Sequence, residues 1–140
     1  MDLITLLKYH EGLRLKPYRD TTGHLTIGFG RNLDTQGITP EEAAYLLQHD
    51  IEDVYDLMPK LWPWIKQLSD VRQAVLYEMA FNLGSVGLMR FKATLAHVQA
   101  GRYEQAAAAM LQSRWARQVK GRARRLAQMM RSDCWPDDVG

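Results

Sequence analysis

Hydrophobic and polar positions change their period twice along the chain. After Asp2, the residues Leu3, Ile4, Leu6 and Leu7 are spaced to form one apolar stripe on a short helix. Gly12 stands where a glycine ends such a helix, which leaves Glu11 at its last turn. From Leu13 to Leu33 the pattern turns into short β-prone pieces around the turn-like DTTG. In HLTIGFG, strand alternation puts His24, Thr26 and Gly28 on one face and Leu25, Ile27 and Phe29 on the other. This predicts a small antiparallel hairpin sheet, with Asp20 opening its turn and Thr26 on the return strand. A helical period then takes over. Thr39 as N-cap, Pro40 at the first helical position and Glu42 completing a capping box open a long helix. Its stripe of Ala43, Leu46, Leu47, Ile51, Val54, Leu57 and Met58 is interrupted only by Asp50, and its end is expected near Pro59. Ser69 caps a second, strongly apolar helix with Val71, Ala74, Val75, Met79 and Leu83 inward, which Gly84 terminates. Shorter helices follow in GLMRF, ATLAHVQAG, YEQAAAAMLQ and GRARRLAQMMRS.

A sheet confined to the first quarter with helices after it is an α+β arrangement. The expected organisation is one domain over residues 1–140. A cleft is expected between the sheet and the helices.

Composition adds bounds. The 140 residues are 46% hydrophobic and 24% charged, as in ordinary globular chains. Cys134 is the only cysteine, so no intrachain disulfide can form, and no metal-ligand spacing is present. No run of 18 apolar residues exists to span a membrane, and the start MDLITLLKYHEG is unlike a signal peptide. Net charge is only +2, but Arg114, Arg117, Lys120, Arg122, Arg124, Arg125 and Arg131 share one stretch without an acid. Such a surface attracts an anionic partner or serves as a solvated helix face. Interleaved aromatics are sparse and no reading-helix motif occurs, so a specific nucleic-acid partner is not expected.

Two carboxylates on different backbone elements, joined by few residues, suit hydrolysis of a glycosidic bond. That reaction needs one carboxylic acid to protonate the leaving oxygen and one carboxylate to activate water or stabilise the cationic centre. A threonine hydroxyl can hold the water. Taken singly, Glu11 is also an ordinary exposed helix-end residue, Asp20 a turn former and Thr26 a strand residue.

The order E-G-L-R-L-K-x-Y-x-D-x-x-G-x-x-T-I-G-x-G from Glu11 to Gly30 resembles the active-site segment of phage-type lysozymes, glycoside hydrolase family 24. The resemblance continues through DVRQAVLYEMAFNLG, RFKATL, YEQAAAAMLQSRW and GRARR, so it covers nearly the whole chain. It implies a lysozyme-like fold, a sheet lobe of about 13–58 joined by the long helix to a helical lobe of about 1–12 and 59–140 with a cleft between them. It also implies Glu11 as general acid, Asp20 as second carboxylate and Thr26 as the hydroxyl that positions the attacking water. By the same resemblance Asn32, Phe81 and Thr94 match substrate contacts, and Arg122 matches an arginine that pairs with the catalytic glutamate. Phe81, as an apolar residue on a central helix, suits the core as well as a sugar face. The implied substrate is bacterial peptidoglycan, cut at the β-1,4 bond between N-acetylmuramic acid and N-acetylglucosamine with inversion, without metal or cofactor. The implied biology is an endolysin that acts as a monomer. It waits in the host cytoplasm and reaches the periplasm and cell wall through a holin. Arg31 replaces a histidine of the family's best-known member, RNLDTQGITPEEA is shorter than its counterpart, and Ala109 stands at a polar sugar contact. Subsite affinities therefore do not transfer.

Overall fold

The computed structural model describes residues 1–137 of the chain. Its elements run α1 (Leu3–Glu11), β1 (Arg14–Arg19), β2 (Leu25–Gly28), β3 (Arg31–Asn32) and α2 (Pro40–Leu61). A 3-10 turn (Pro63–Gln67) leads to α3 (Asp70–Met89), α4 (Lys92–Gln99), α5 (Tyr103–Leu111), α6 (Arg114–Val119) and α7 (Gly121–Ser132). Helices with one small antiparallel sheet near the N-terminus make this an α+β lysozyme-like fold. Among the described residues no helix is long and apolar enough to cross a membrane.

The chain divides into two compact units, Met1–Leu47 and Gln48–Gly140, with the division inside α2. In the first unit α1 is grouped with the sheet, whereas the family resemblance led residues 1–12 to be expected with the helical lobe. The Asp2 carboxylate caps α1 by accepting from the Thr5 N–H at 2.8 Å, and the Gly12 N–H closes it on the Lys8 carbonyl at 3.0 Å. The sheet has the order β1-β2-β3. Arg14 pairs with Gly28 and Tyr18 with Thr26, so four steps on β1 face two on β2. Pro17, which has no N–H to give a ladder, lies inside that irregularity. The third strand, two residues long, pairs Asn32 with Thr26 and Arg31 with Ile27.

At the start of α2 the capping box forms as its sequence requires. The Glu42 N–H reaches Thr39 Oγ1 at 3.1 Å, and the Thr39 N–H reaches Glu42 Oε1 at 2.9 Å. Glu42 also takes a two-pronged bond from Arg31 at 3.1 and 2.6 Å, which ties β3 to the helix start. Pro59 does not end α2. A proline in the last turn removes only its own N–H, the helix reaches Leu61, and the Trp62 N–H still bonds the Met58 carbonyl at 2.9 Å.

The second unit holds the core, built from Met58, Ile65, Leu76, Met79, Leu88, Met110, Leu126 and Met130 with smaller residues between them. Ser69 caps α3 as predicted, and Gly84, at φ 78° and ψ 159°, breaks the helix where a glycine was expected to stop it. A short helical stretch resumes after the break. Helix α6 was not evident in the sequence pattern. It is six residues long, yet Ser113 caps it by accepting from the Ala116 N–H at 3.1 Å. Its Trp115 is buried and donates Nε1–H to Asn82 Oδ1 at 2.8 Å.

Candidate active site

In the first unit, Glu11 ends α1 and lies against the turn between β2 and β3. At Gly30 the backbone has φ 76°, and a Cβ added there would collide with the Glu11 carboxyl group, whose Cδ would be 2.7 Å away. Only a residue without a side chain lets the strand end approach Glu11 this closely. Glu11 is exposed in this arrangement.

Asp20 opens the β1–β2 turn. Its N–H donates to the His24 carbonyl at 2.9 Å, and its own carbonyl accepts from the Gly23 N–H at 3.0 Å. Its Oδ1 accepts three bonds: from the His24 N–H at 2.9 Å, the Thr22 N–H at 2.9 Å and the Thr22 hydroxyl at 2.8 Å. The backbone N–H of His24 foremost, then the Thr22 hydroxyl, hold the Asp20 carboxyl below the usual aspartate range against a smaller opposing effect of desolvation. Asp20 is thereby kept ionised, which suits a group that attracts protons or positive charge and not one that must deliver a proton.

Thr26 sits on β2, only 2% exposed, and donates its hydroxyl proton to the His24 carbonyl at 2.8 Å. That carbonyl is the same one Asp20 bonds, so Asp20 and Thr26 are fastened to one oxygen. With its proton committed, the Thr26 oxygen has only acceptor capacity left. Asn32, the cross-strand partner of Thr26, uses Oδ1 to accept from the Thr35 N–H at 3.0 Å, which leaves its NH₂ to donate elsewhere. Glu11, Asp20, Thr26 and Asn32 thus belong to one small sheet unit.

The remaining expected residues belong to the second unit. Phe81 is 45% exposed, so the core does not claim it. It lines a hollow of about 320 Å³ with Asp50, Asp53, Leu57 and Ser85. Thr94 is 2% exposed, and it borders a different hollow of about 290 Å³ that also includes Ala109. The structure therefore does not place Phe81 and Thr94 in one pocket of this unit. Arg122 donates Nε–H to Glu78 at 2.8 Å. The sequence reading passed over Thr22 and His24, whose bonds to Asp20 define its environment. The signal was present as Asp20, Thr22 and His24 at alternate positions around a turn glycine.

Residues 8–131 match the phage lysozyme family. The chain is 32% identical, over 158 aligned positions, to the pre-baseplate central spike protein Gp5 of Enterobacteria phage T4. That alignment takes in 93% of this chain but only 28% of the spike protein's length. It is 27% identical to the probable T4-type lysozyme 1 of Dictyostelium discoideum, covering 89% of this chain and 91% of that one. Over 89 positions it is 35% identical to the endolysin of Salmonella phage P22, covering 58% of this chain and 60% of that one. With the match running through the sheet unit and on through the helices to residue 131, the chain belongs to the phage lysozyme family.

Proposed function

We propose that the protein is a lysozyme-type peptidoglycan hydrolase that cleaves the β-1,4 bond between N-acetylmuramic acid and N-acetylglucosamine. The observation that carries this reading is the pair of unlike carboxylates on one sheet unit of a phage lysozyme family member. Glu11 ends a helix, and Asp20 is held ionised by three hydrogen bonds to a single oxygen. In the proposed step, Glu11 gives its proton to the leaving oxygen as the glycosidic C–O bond breaks. A water forms the new C–O bond, passing one proton to Asp20 and donating its other hydrogen to the Thr26 oxygen. Asn32, Phe81 and Thr94 are the proposed sugar contacts, and Arg122 the proposed support of Glu11. The water route gives inversion at the anomeric carbon.

The biological role that fits is an endolysin, released by a holin to the cell wall and working as a monomer. The likeness to a baseplate spike protein favours a second role, wall penetration at the start of infection. Co-expression tests the first role: an endolysin lyses the host only when a holin is present.

Two measurements test the chemistry. Replacing Glu11 by Gln keeps the volume but removes the proton, so hydrolysis should fall by about 10² to 10⁴ while circular dichroism stays unchanged. Parental turnover in the variant sinks the acid assignment. NMR of the fresh product should show the α-anomer first; an initial β-anomer would make Asp20 a nucleophile. Mass spectrometry of the same digest separates reducing muramic ends from anhydro ends, which differ by one water and would signal a lytic transglycosylase.

A further inference from the structure

The imidazole of His24 has no task in the scheme above, yet it stands one hydroxyl away from Asp20. Its Nδ1 is 2.7 Å from Thr22 Oγ1, and that oxygen is 2.8 Å from Asp20 Oδ1. Thr22 has a single hydroxyl proton to place. An ionised carboxylate can only accept, so the proton goes to Asp20, and the Thr22 oxygen must accept from the ring. Nδ1 therefore carries hydrogen in the neutral ring as well as in the charged one.

All three bonds to the Asp20 carboxylate end on Oδ1; Oδ2 has no partner among the described residues. Fixing Oδ1 from the His24 and Thr22 side leaves Oδ2 as the oxygen able to take a proton from water. The ring is also near enough for its charge to act directly, with Nδ1 3.9 Å from Oδ1. Two other charged groups surround the turn. Arg19 on β1 donates to the Gly23 carbonyl at 3.1 Å and lies 3.6 Å from Asp34, which in turn accepts from the Leu25 N–H at 2.8 Å. These two pair with each other, and the carboxylate 3.9 Å from the His24 ring is that of Asp20.

We propose that His24 is a positioning residue of the hydrolysis. Acting through the Thr22 hydroxyl, it holds the Asp20 carboxylate with Oδ2 free for the water, and its own charge sets how readily Oδ2 accepts a proton. This rests on Asp20 being the water activator. A neutral ring keeps the bond and leaves Oδ2 basic, whereas an imidazolium draws electron density toward Oδ1 and makes Asp20 a weaker base. The rate should therefore be higher with the ring neutral than with it charged.

The test measures kcat and KM on soluble glycan strands from about pH 5 to 8. His24→Leu should lose roughly tenfold in kcat, less than loss of the acid–base group itself costs, with KM little changed and the pH inflection gone; Thr22→Val should lose a similar factor and keep only a weakened inflection through the ring's direct charge. His24→Asn, whose amide NH₂ can sit where Nδ1 does, should recover most of kcat without the inflection. Thr22 is exposed, so its valine variant carries the test even if His24→Leu fails to fold. Parental kcat and pH profile in Thr22→Val and His24→Asn overturn the proposal. Asp20→Asn separates the two levels: if it hydrolyses at the parental rate, the reading of Asp20 itself fails. If it is inactive while the His24 and Thr22 variants are unaffected, only the role of His24 fails.

Discussion

Gly30 shows how one residue without a side chain can set the surroundings of a carboxylate. Its φ of 76° disfavours any L side chain, and the space a Cβ would need is taken by the Glu11 carboxyl group. Gly30→Ala must move the strand end or the acid. It is expected to cost about 1 to 3 kcal/mol in stability, the usual range for a strained backbone position. It should also lower kcat by displacing Glu11. Thermal unfolding and turnover of the same preparation check both, and an unchanged melting point with full activity would show that Glu11 has room to swing away. Asp20 shows the complementary effect: its turn geometry, not burial, keeps it charged.

At the scale of elements, the start of α2 concentrates several weak interactions on one carboxylate. Glu42 accepts from the Thr39 N–H and from Arg31, and its carboxyl is held below the usual glutamate range by the Thr39 backbone bond foremost, with Arg31 contributing. Because the folded pKa is depressed, the stabilisation is present above the unfolded value and is lost as pH falls through the folded one. Glu42→Gln should therefore flatten the loss of stability on acidification below about pH 4.3, the ordinary glutamate value, as read by urea unfolding at successive pH values. Thr39→Ala should cost about 1 kcal/mol through loss of the cap. A Thr39→Ala variant as stable as the parent would mean that Arg31 alone anchors the helix start.

Over the whole molecule, the basic stretch near the C-terminus holds ion-paired members beside exposed ones. Arg122 pairs with Glu78, and Arg131 with Glu104, whereas Arg114, Arg117, Lys120 and Arg124 are exposed. The exposed group is suited to raising the encounter rate with an anionic wall. Activity on intact peptidoglycan should fall as salt shortens the Debye length below about 8 Å, and Arg117→Gln with Arg124→Gln should weaken that dependence. Salt sensitivity equal to the parent's in the double variant would reduce these arginines to a solvated face.

The sequence by itself determined the features that rest on neighbours a few residues apart. Asp2 caps α1, Thr39 and Glu42 box α2, Ser69 caps α3, and Gly84 breaks it, because each cap or break is settled by backbone groups within one turn. Asp20 at a turn and Thr26 on the return strand were legible for the same reason. Tertiary structure alone decided what depends on residues far apart in the chain. Trp115 is buried because its indole N–H finds Asn82, 33 residues earlier, and Arg122 is bound to Glu78 across 44 residues. Phe81 is left 45% exposed while Thr94 is enclosed, which side-chain polarity alone does not predict. Local patterns fix hydrogen bonds that close within a helical turn; burial and charge pairing are properties of surfaces, and those exist only once distant segments have packed together.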